Sequence, residues 1–346
     1  MRVCGRAAVL IGAVLIPALM TSAAAIPPSA AALHRDATVV DLHNDVMLEV
    51  LAHKRDIATR SPVGHSDLPR LREGGVDVQV FALFVHPKEA ERGYARITDL
   101  LDAFDRFAAA HTGMVELATS VAEITRLEAA GRLAVVLAVE NASALEGNPD
   151  RVEVLYRRGV RMMGLTWNNS NGLADGALEA HHGGLTPLGR QVLARMQELG
   201  VVVDVSHLSE QSFWNVLEAT RGPIVATHSN AAGLTPHPRN LTDEQLRAIA
   251  RRGGVVGVNF YPTFTGGASL ARILDHLEYL VNVMGADHVA LGSDFDGFTG
   301  RVNDLEDVSR LPNLTAGLLS RGHDAQTVKK ILGGNALRVF KEVWGR

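Results

Sequence analysis

Cysteine is nearly absent from this 346-residue chain, in which Cys4 stands alone. A single cysteine cannot form an internal disulfide, and thiolate metal sites need several sulfur ligands. Any metal site in this chain must therefore be built from imidazole and carboxylate groups. Long basic runs are absent as well, and the formal net charge at pH 7 is −4. This charge balance argues against a nucleic-acid partner.

Periodic repeats and dinucleotide motifs are also missing. The 33 glycines and 13 prolines follow no period, which excludes a collagen-like fibre. The apolar fraction of 47% excludes a disordered chain. The motif Gly-x-Gly-x-x-Gly follows none of the predicted strands, so a dinucleotide site has no support. Because no proline- or serine-rich break divides the chain, we expect one folded domain.

Residues 1–25 have the layout of a secretory signal peptide. A short basic start is followed by an apolar run over residues 7–20 and by small residues up to a cleavage position after Ala25. The apolar run is shorter than the about 20 residues that a membrane span needs. We therefore expect export to the periplasm or the extracellular space, and an uncleaved N-terminal anchor is the alternative. Beyond this segment we expect no membrane partner, a linker over residues 26–36 and a barrel domain over residues 37–346.

Eight short apolar runs, rich in β-branched residues, alternate with longer amphipathic segments. Continuous apolar strands are buried on both faces, which is typical of a parallel sheet. Eight strand-then-helix units predict a (β/α)8 barrel of the TIM type, and an open doubly wound sheet is the alternative. The predicted strands cover residues 38–43, 76–85, 133–141, 160–167, 201–207, 223–228, 254–260 and 288–294. Helical spacing is clearest over residues 94–110, 188–199, 270–284 and 325–343.

Several predicted strands end in residue types that bind metals. In a barrel of this kind the carboxyl ends of the strands meet at one mouth, where catalytic residues gather. His43 and Asp45 are two residues apart, so both side chains leave the same face of an extended chain. Glu140 ends an apolar strand, and a buried carboxylate needs a cation or a hydrogen-bond partner. The candidate metal ligands are His43, Asp45, Glu140, His207 and His228.

Five ligands are more than one catalytic zinc ion binds while it keeps a position open for water. Two ions that share a carboxylate account for all five, and two-metal sites are a common device for hydrolysis. Imidazole and carboxylate ligands suit Zn²⁺, with Mn²⁺ or Co²⁺ as alternatives. Asp41 and Asp204 lie on strands that also carry candidate ligands, and they are interpreted as supporting or structural residues. Ala138 and Ala226, each two residues before a candidate ligand, are expected to fill the barrel interior.

Short segments at these strand ends follow one another in a specific order. They include Asp41-Leu-His-Asn-Asp45, Ala138-Val-Glu-Asn141, Asp204-Val-Ser-His207, Thr227-His-Ser-Asn230 and Gly292-Ser-Asp-Phe-Asp-Gly297. With these segments, the chain resembles the membrane (renal) dipeptidase family of zinc metallopeptidases, which have an amidohydrolase-type barrel. The resemblance covers most of residues 38–345.

The resemblance implies a hydrolase that cleaves the peptide bond of dipeptides, with two zinc ions per subunit. It implies that His43 and Asp45 hold one zinc ion and that His207 and His228 hold the second. Glu140 would bridge the two ions. The attacking group would be a hydroxide that bridges the metals.

Three further residues take roles from the same resemblance. Asp294 would accept the proton of the attacking water and pass it to the leaving amine. Arg239 would bind the C-terminal carboxylate of the substrate, for which a guanidinium fork is well suited. Trp167 stands where the best-known animal member has a histidine, and its indole can only donate a hydrogen bond. Either Trp167 shapes the substrate pocket, or Asn168 supplies the polar contact.

Other functions are compatible with parts of this pattern. A metal-dependent hydrolase of the same barrel type could act on a related amide, a lactone or a β-lactam. A non-catalytic exported binding protein would be expected to lack at least one metal-ligating residue, whereas all five candidate metal ligands are present. A glycosidase that uses Glu140 and Asp294 would leave the three histidines unexplained. The expected partner is a small molecule, and a homodimer is left open.

Overall fold

The structure is a computed structural model that describes residue 1 and residues 26–52, 54–181 and 183–345. Apart from Met1, the predicted signal segment lies outside the described residues. Within the described ranges, no helix combines the length and the hydrophobicity required to cross a membrane.

Eight parallel strands close into a barrel. The strands are β1 (Val40–Asn44), β2 (Val78–Phe84), β3 (Val115–Leu117), β4 (Leu133–Glu140), β5 (Val160–Gly164), β6 (Val202–Asp204), β7 (Val225–Ser229), β8 (Val255–Val258) and β9 (Val289–Leu291). Hydrogen bonding runs from β1 through β2, β4, β5, β6, β7, β8 and β9 back to β1, so the predicted barrel is confirmed and the open sheet is excluded. The short strand β3 pairs with the start of β4 and was not predicted.

Helices surround the barrel and follow most of its strands. They are α1 (Pro28–Asp36), α2 (Met47–Leu51), α3 (Leu68–Glu73), α4 (Gly93–Ala110), α5 (Val121–Ala129), α6 (Arg151–Arg157), α7 (Pro187–Leu199), α8 (Glu210–Ala219), α9 (Asp243–Arg251), α10 (Pro262–Thr265), α11 (Leu270–Met284), α12 (Leu311–Ser320), α13 (Ala325–Lys329) and α14 (Asn335–Trp344). The helix predicted over residues 325–343 is interrupted, because a π-helical turn over Lys330–Gly334 separates α13 from α14.

The linker predicted over residues 26–36 is corrected for most of its length, because residues 28–36 form α1. Proline suits the first turn of a helix, and Pro28 occupies that position here. His34 fixes α1 to the domain: its Nδ1 lies 2.7 Å from the Thr315 hydroxyl, and its Nε2 lies 2.8 Å from the Gly74 carbonyl oxygen. The folded domain therefore begins before residue 37.

Two apolar layers fill the fold. Side chains from every barrel strand fill the interior, and α14 closes the end opposite the mouth with Phe340 and Val343. The outer faces of the strands pack against the helices. The interior strand residues are Val40, Leu42, Val78, Val80, Ala134, Val136, Ala138, Met162, Val202, Val225, Val255 and Ala290. This apolar filling leaves the mouth as the polar end of the barrel.

The predicted alternation holds on β4 and fails on β7. Ala138 lies in the interior as expected, two residues below Glu140. Ala226 instead packs in the outer layer, and Val225 takes the interior position. Strict alternation from Val225 would turn His228 away from the interior. The pairing of β7 with β8 shifts register between Ala226 and Ser229, which frees His228 from that alternation.

Candidate metal centre

The five predicted metal ligands lie together at the mouth of the barrel. Glu140 stands between two groups. Its Oε2 lies 3.5 Å from His43 Nε2, which is 3.4 Å from Asp45 Oδ2. Its Oε1 lies 2.9 Å from His207 Nε2 and 4.0 Å from His228 Nε2. One carboxylate thus presents a separate oxygen to each group, which is the arrangement of a bridging ligand.

Irregular backbone aims the histidines at the mouth. The pairing of β1 with β2 shifts register between Asp41 and Asn44, next to His43. His207 adopts a left-handed backbone with φ of 69°, which is uncommon for a residue other than glycine. Among the five ligands, only Glu140 is directed into the mouth by the regular alternation of its strand. Regular strands alone would not bring these side chains together.

A hydrogen-bonded chain fixes the orientation and the tautomer of His228. The Thr227 hydroxyl donates to Asp204 Oδ2 at 2.6 Å, and Thr227 Oγ1 lies 2.8 Å from His228 Nδ1. Since the hydroxyl proton is directed to Asp204, His228 Nδ1 must donate its own proton to Thr227. His228 Nε2 is then left with a free lone pair that faces the centre. Asp204 acts here as the supporting residue that the sequence suggested.

Asn168 performs the same task for His207. Its Oδ1 lies 2.9 Å from His207 Nδ1, so the proton sits on Nδ1 and Nε2 is free to bind a metal. The sequence placed Asn168 near the substrate and missed this contact, as it missed the role of Thr227. Asp41 lies behind the centre, where it accepts hydrogen bonds from Ser293 and Gln79.

Charge and burial perturb the ligands strongly. Burial raises the pKa of Glu140, but the positive charge of His43 outweighs it and holds that pKa well below its usual range. Burial lowers the pKa of His43. The negative charges of Glu140 and Asp45 raise it by more than burial lowers it, so the pKa lies well above its ordinary value. Burial and the charge of Arg239 lower the pKa of His207 to about 3.

The donor set fits divalent zinc. Neither ring nitrogen of His43 has a hydrogen-bond partner among the described residues, although the ring is buried. His207 Nε2 and His228 Nε2 are only 2.7 Å apart and face the same oxygen of Glu140. Buried ring nitrogens whose lone pairs have no donor are costly, and a cation bound between these nitrogens and the carboxylates would satisfy them. Glu140 belongs to two groups of three residues whose ligand atoms all lie within 4.8 Å of one another. One group is Glu140, His43 and Asp45, and the other is Glu140, His207 and His228.

Asp294 lies at the same mouth with an unusual backbone. Its φ is 60°, and Asn259 Nδ2 donates to its Oδ2 at 2.7 Å. One of its oxygens lies within 4.8 Å of ligand nitrogens of His43 and His228. Burial and the negative charge of Asp45 raise the pKa of Asp294 to about 7. A carboxyl group with that pKa can accept and release a proton near neutral pH.

Arg239 lies beside the second group of ligands. It is 3% exposed, and its Nη2 donates to the His228 carbonyl oxygen at 3.3 Å. Its Nε has no hydrogen-bond partner among the described residues. Burial lowers its pKa to about 10, so it keeps its charge at neutral pH. With His207 and Ser229 it lines a cavity of about 270 Å³.

Trp167 contributes an aromatic wall to the mouth. Its ring centroid lies 6.2 Å from that of His207. Its ring centroid also lies 5.5 Å from that of Phe84 and 5.8 Å from that of His86. Trp167 therefore lies next to the predicted metal ligand His207.

Comparisons with known proteins agree with this geometry. Residues 28–344 match the family described as Membrane dipeptidase (Peptidase family M19). An uncharacterized protein in the pqqA 5' region of Klebsiella pneumoniae is 42% identical over 245 residues, or 67% of this chain and 90% of that protein. Dipeptidase tcpJ of Claviceps purpurea is 31% identical over 325 residues, or 88% of this chain and 76% of that protein.

A solved structure is similar in both fold and sequence. The metallopeptidase from Rhodobacter sphaeroides superposes with a TM-score of 0.84 at 29% identity, and the match covers 89% of this chain and 99% of that one. That protein was crystallised with a phosphinate mimic of the dipeptide L-Ala-D-Ala.

Proposed function

Because the chain belongs to the membrane dipeptidase family, peptidase family M19, we propose that it is a binuclear zinc dipeptidase. The observation that carries the proposal is the position of Glu140, whose two oxygens face two separate groups of ligands. His43 and Asp45 would hold one ion, and His207 and His228 the other. Bound zinc lowers the pKa of a coordinated water and polarises a substrate carbonyl.

Asp294 would move the proton during hydrolysis. Its carboxyl group lies among the ligands, and its amide partner Asn259 bonds to only one of its two oxygens. It would accept a proton from the attacking water and return it to the leaving amine. A pKa that burial and Asp45 raise to about 7 suits both transfers.

Arg239 and Trp167 would select the substrate. Arg239 donates to the carbonyl oxygen of the ligand His228, so a carboxylate bound by this guanidinium lies close to the metal centre. A substrate held in this way would have its cleaved bond close to its C-terminal carboxylate, as a dipeptide does. Trp167, with Phe84 and His86, would form the wall against which a substrate side chain packs.

A direct test uses the full chain with and without metal. The protein freed of metal by a chelator is expected to hydrolyse no dipeptide and to recover activity with Zn²⁺. The panel should include L-Ala-L-Ala, L-Ala-D-Ala, a tripeptide and a C-terminally amidated dipeptide, and the last two are expected to be poor substrates. Equal activity with and without metal would refute the proposal.

A second candidate keeps the metals and changes the substrate. Trp167 stands where the best-known animal member of the family has a histidine, so the mouth is less polar at this position. This difference keeps a related amide, a lactone or a β-lactam as an alternative substrate. Zinc-dependent opening of a lactone or a β-lactam, with no hydrolysis of any dipeptide, would select this alternative.

We also propose that residues 1–25 direct export and are removed. Their basic, apolar and small-residue segments support this proposal. N-terminal sequencing of the protein recovered from the periplasm or the medium is expected to begin at Ile26. An intact N-terminus in the membrane fraction would favour the uncleaved anchor.

A further inference from the structure

The turn after β9 places a glycine directly against two carboxylates of the mouth. A Cβ atom added to Gly297 would lie 2.3 Å from Asp45 Oδ2 and 2.4 Å from Asp294 Oδ1. Contacts this short are far inside the van der Waals separation of carbon and oxygen. We propose that Gly297 is a positioning residue. Because it has no side chain, Asp45 and Asp294 can both face the first metal site, which is the one formed by His43, Asp45 and Glu140. This inference rests on the proposed function.

The turn is bonded to the strand that carries the first ligands. The Asp45 backbone N–H donates to the Phe295 carbonyl oxygen at 3.0 Å, and the Asp294 N–H donates to the His43 carbonyl oxygen at 3.1 Å. The Gly297 N–H donates to the Asp294 backbone carbonyl oxygen at 3.0 Å. The backbone around Gly297 therefore cannot withdraw without breaking contacts with His43 and Asp45.

Asp296 holds the turn from its other side. Its Oδ1 accepts hydrogen bonds from Arg55 Nη2 and from the His65 backbone N–H, each at 2.7 Å. The Asp296 N–H donates to His65 Nδ1 at 3.1 Å. Asp296 also has a left-handed φ of 65°, so its conformation is tightly specified. Because the backbone is held on both sides, an added methyl group would displace the carboxylates instead.

The two metal sites should respond differently to that displacement. Asp45 belongs to the group with His43 and Glu140, whereas the group of Glu140, His207 and His228 contains neither displaced carboxylate. Gly297→Ala is therefore expected to weaken binding of the first ion and to spare the second. Residues that orient metal ligands typically change affinity by about 10- to 100-fold when they are mutated, and we expect a loss of that size.

The experiment compares Gly297→Ala with Gly113→Ala in the full chain. Gly113 is a suitable control, because a Cβ added there meets nothing within 4 Å. Both zinc dissociation constants are measured by competition with a zinc-buffering chelator, and the metal-free proteins are melted by circular dichroism. We expect the control to match the wild type and Gly297→Ala to lose affinity at one site only. Wild-type affinity at both sites, or equal loss at both, would overturn the inference.

A second variant covers the case in which Gly297→Ala does not fold. Combining it with Asp294→Gly removes one of the two oxygens and relieves the left-handed strain at position 294. The pair is then compared with Asp294→Gly alone, and it is expected to bind the first ion about 10-fold more weakly or worse. Equal affinity would overturn the inference. If the wild type itself binds no pair of zinc ions, the proposed function fails first.

Discussion

The hydrogen-bonded chain of Asp204, Thr227 and His228 makes a sharp prediction about the second metal site. Thr227→Val keeps the shape of the side chain and removes the hydroxyl. Thr227 is fully buried, and its hydroxyl holds Asp204 at 2.6 Å and His228 at 2.8 Å. The valine variant leaves the His228 Nδ1–H without an acceptor and Asp204 Oδ2 without a donor. Water cannot readily replace either contact at a buried position.

The size of the effect follows from these two lost hydrogen bonds. An unsatisfied buried donor or acceptor costs about 1–3 kcal/mol, so the metal-free variant, with two such groups, should lose about 2–6 kcal/mol of unfolding free energy. The imidazole proton is also no longer fixed on Nδ1 and competes with the metal for Nε2. Loss of such a supporting contact typically reduces metal affinity about 10- to 100-fold, here for the second ion.

Thr227→Ser is the matched control, because it retains the hydroxyl and loses only a methyl group. Zinc affinities are measured by chelator competition, and unfolding free energies by urea titration of the metal-free proteins. We expect the serine variant to keep both zinc affinities near the wild-type values. A valine variant that binds two zinc ions with wild-type affinity would refute the role assigned to Thr227.

Three further predictions concern Asp294, Arg239 and Asp77. Asp294→Asn should keep both metals and lose about 10²- to 10⁴-fold in kcat, and near-normal kcat would remove the proton-transfer role. Arg239→Met should raise KM for free dipeptides about 10- to 100-fold and leave amidated dipeptides little changed, whereas equal effects on both would contradict carboxylate binding. Burial raises the pKa of Asp77 from 3.8 to about 6, so its contribution to stability is present below pH 3.8 and is lost as the pH rises through 6. Asp77→Asn should therefore stabilise the protein by up to about 3 kcal/mol at pH 8 and by little at pH 4, as measured by urea unfolding.

The sequence predicted the barrel because its strands are short, apolar and separated by helical segments. It predicted Glu140 because this carboxylate ends an apolar strand, and its position follows from β4, which alternates regularly from Ala134 to Glu140. The positions of His207 and His228 depend on a left-handed residue and a register shift, and neither has a clear signal in a single sequence. Their choice as candidates came from residue type at the strand ends.

Contacts between distant segments were the least predictable part of the site. The hydrogen bond from His207 to Asn168 joins residues 39 positions apart, and the close approach of Gly297 to Asp45 joins β1 to the turn after β9. Such pairs exist only once the barrel has closed. The helix α1 was missed for a different reason: Pro27 and Pro28 suggest a linker, although proline also begins helices.

The central claim is that one carboxylate, Glu140, is shared by two zinc ions. Crystals of the zinc-loaded full chain, measured above and below the zinc absorption edge, test it most directly. We predict two anomalous peaks about 3.5–4 Å apart on either side of Glu140, one beside His43 and one between His207 and His228. A single peak, or peaks that Glu140 does not touch, would contradict the account.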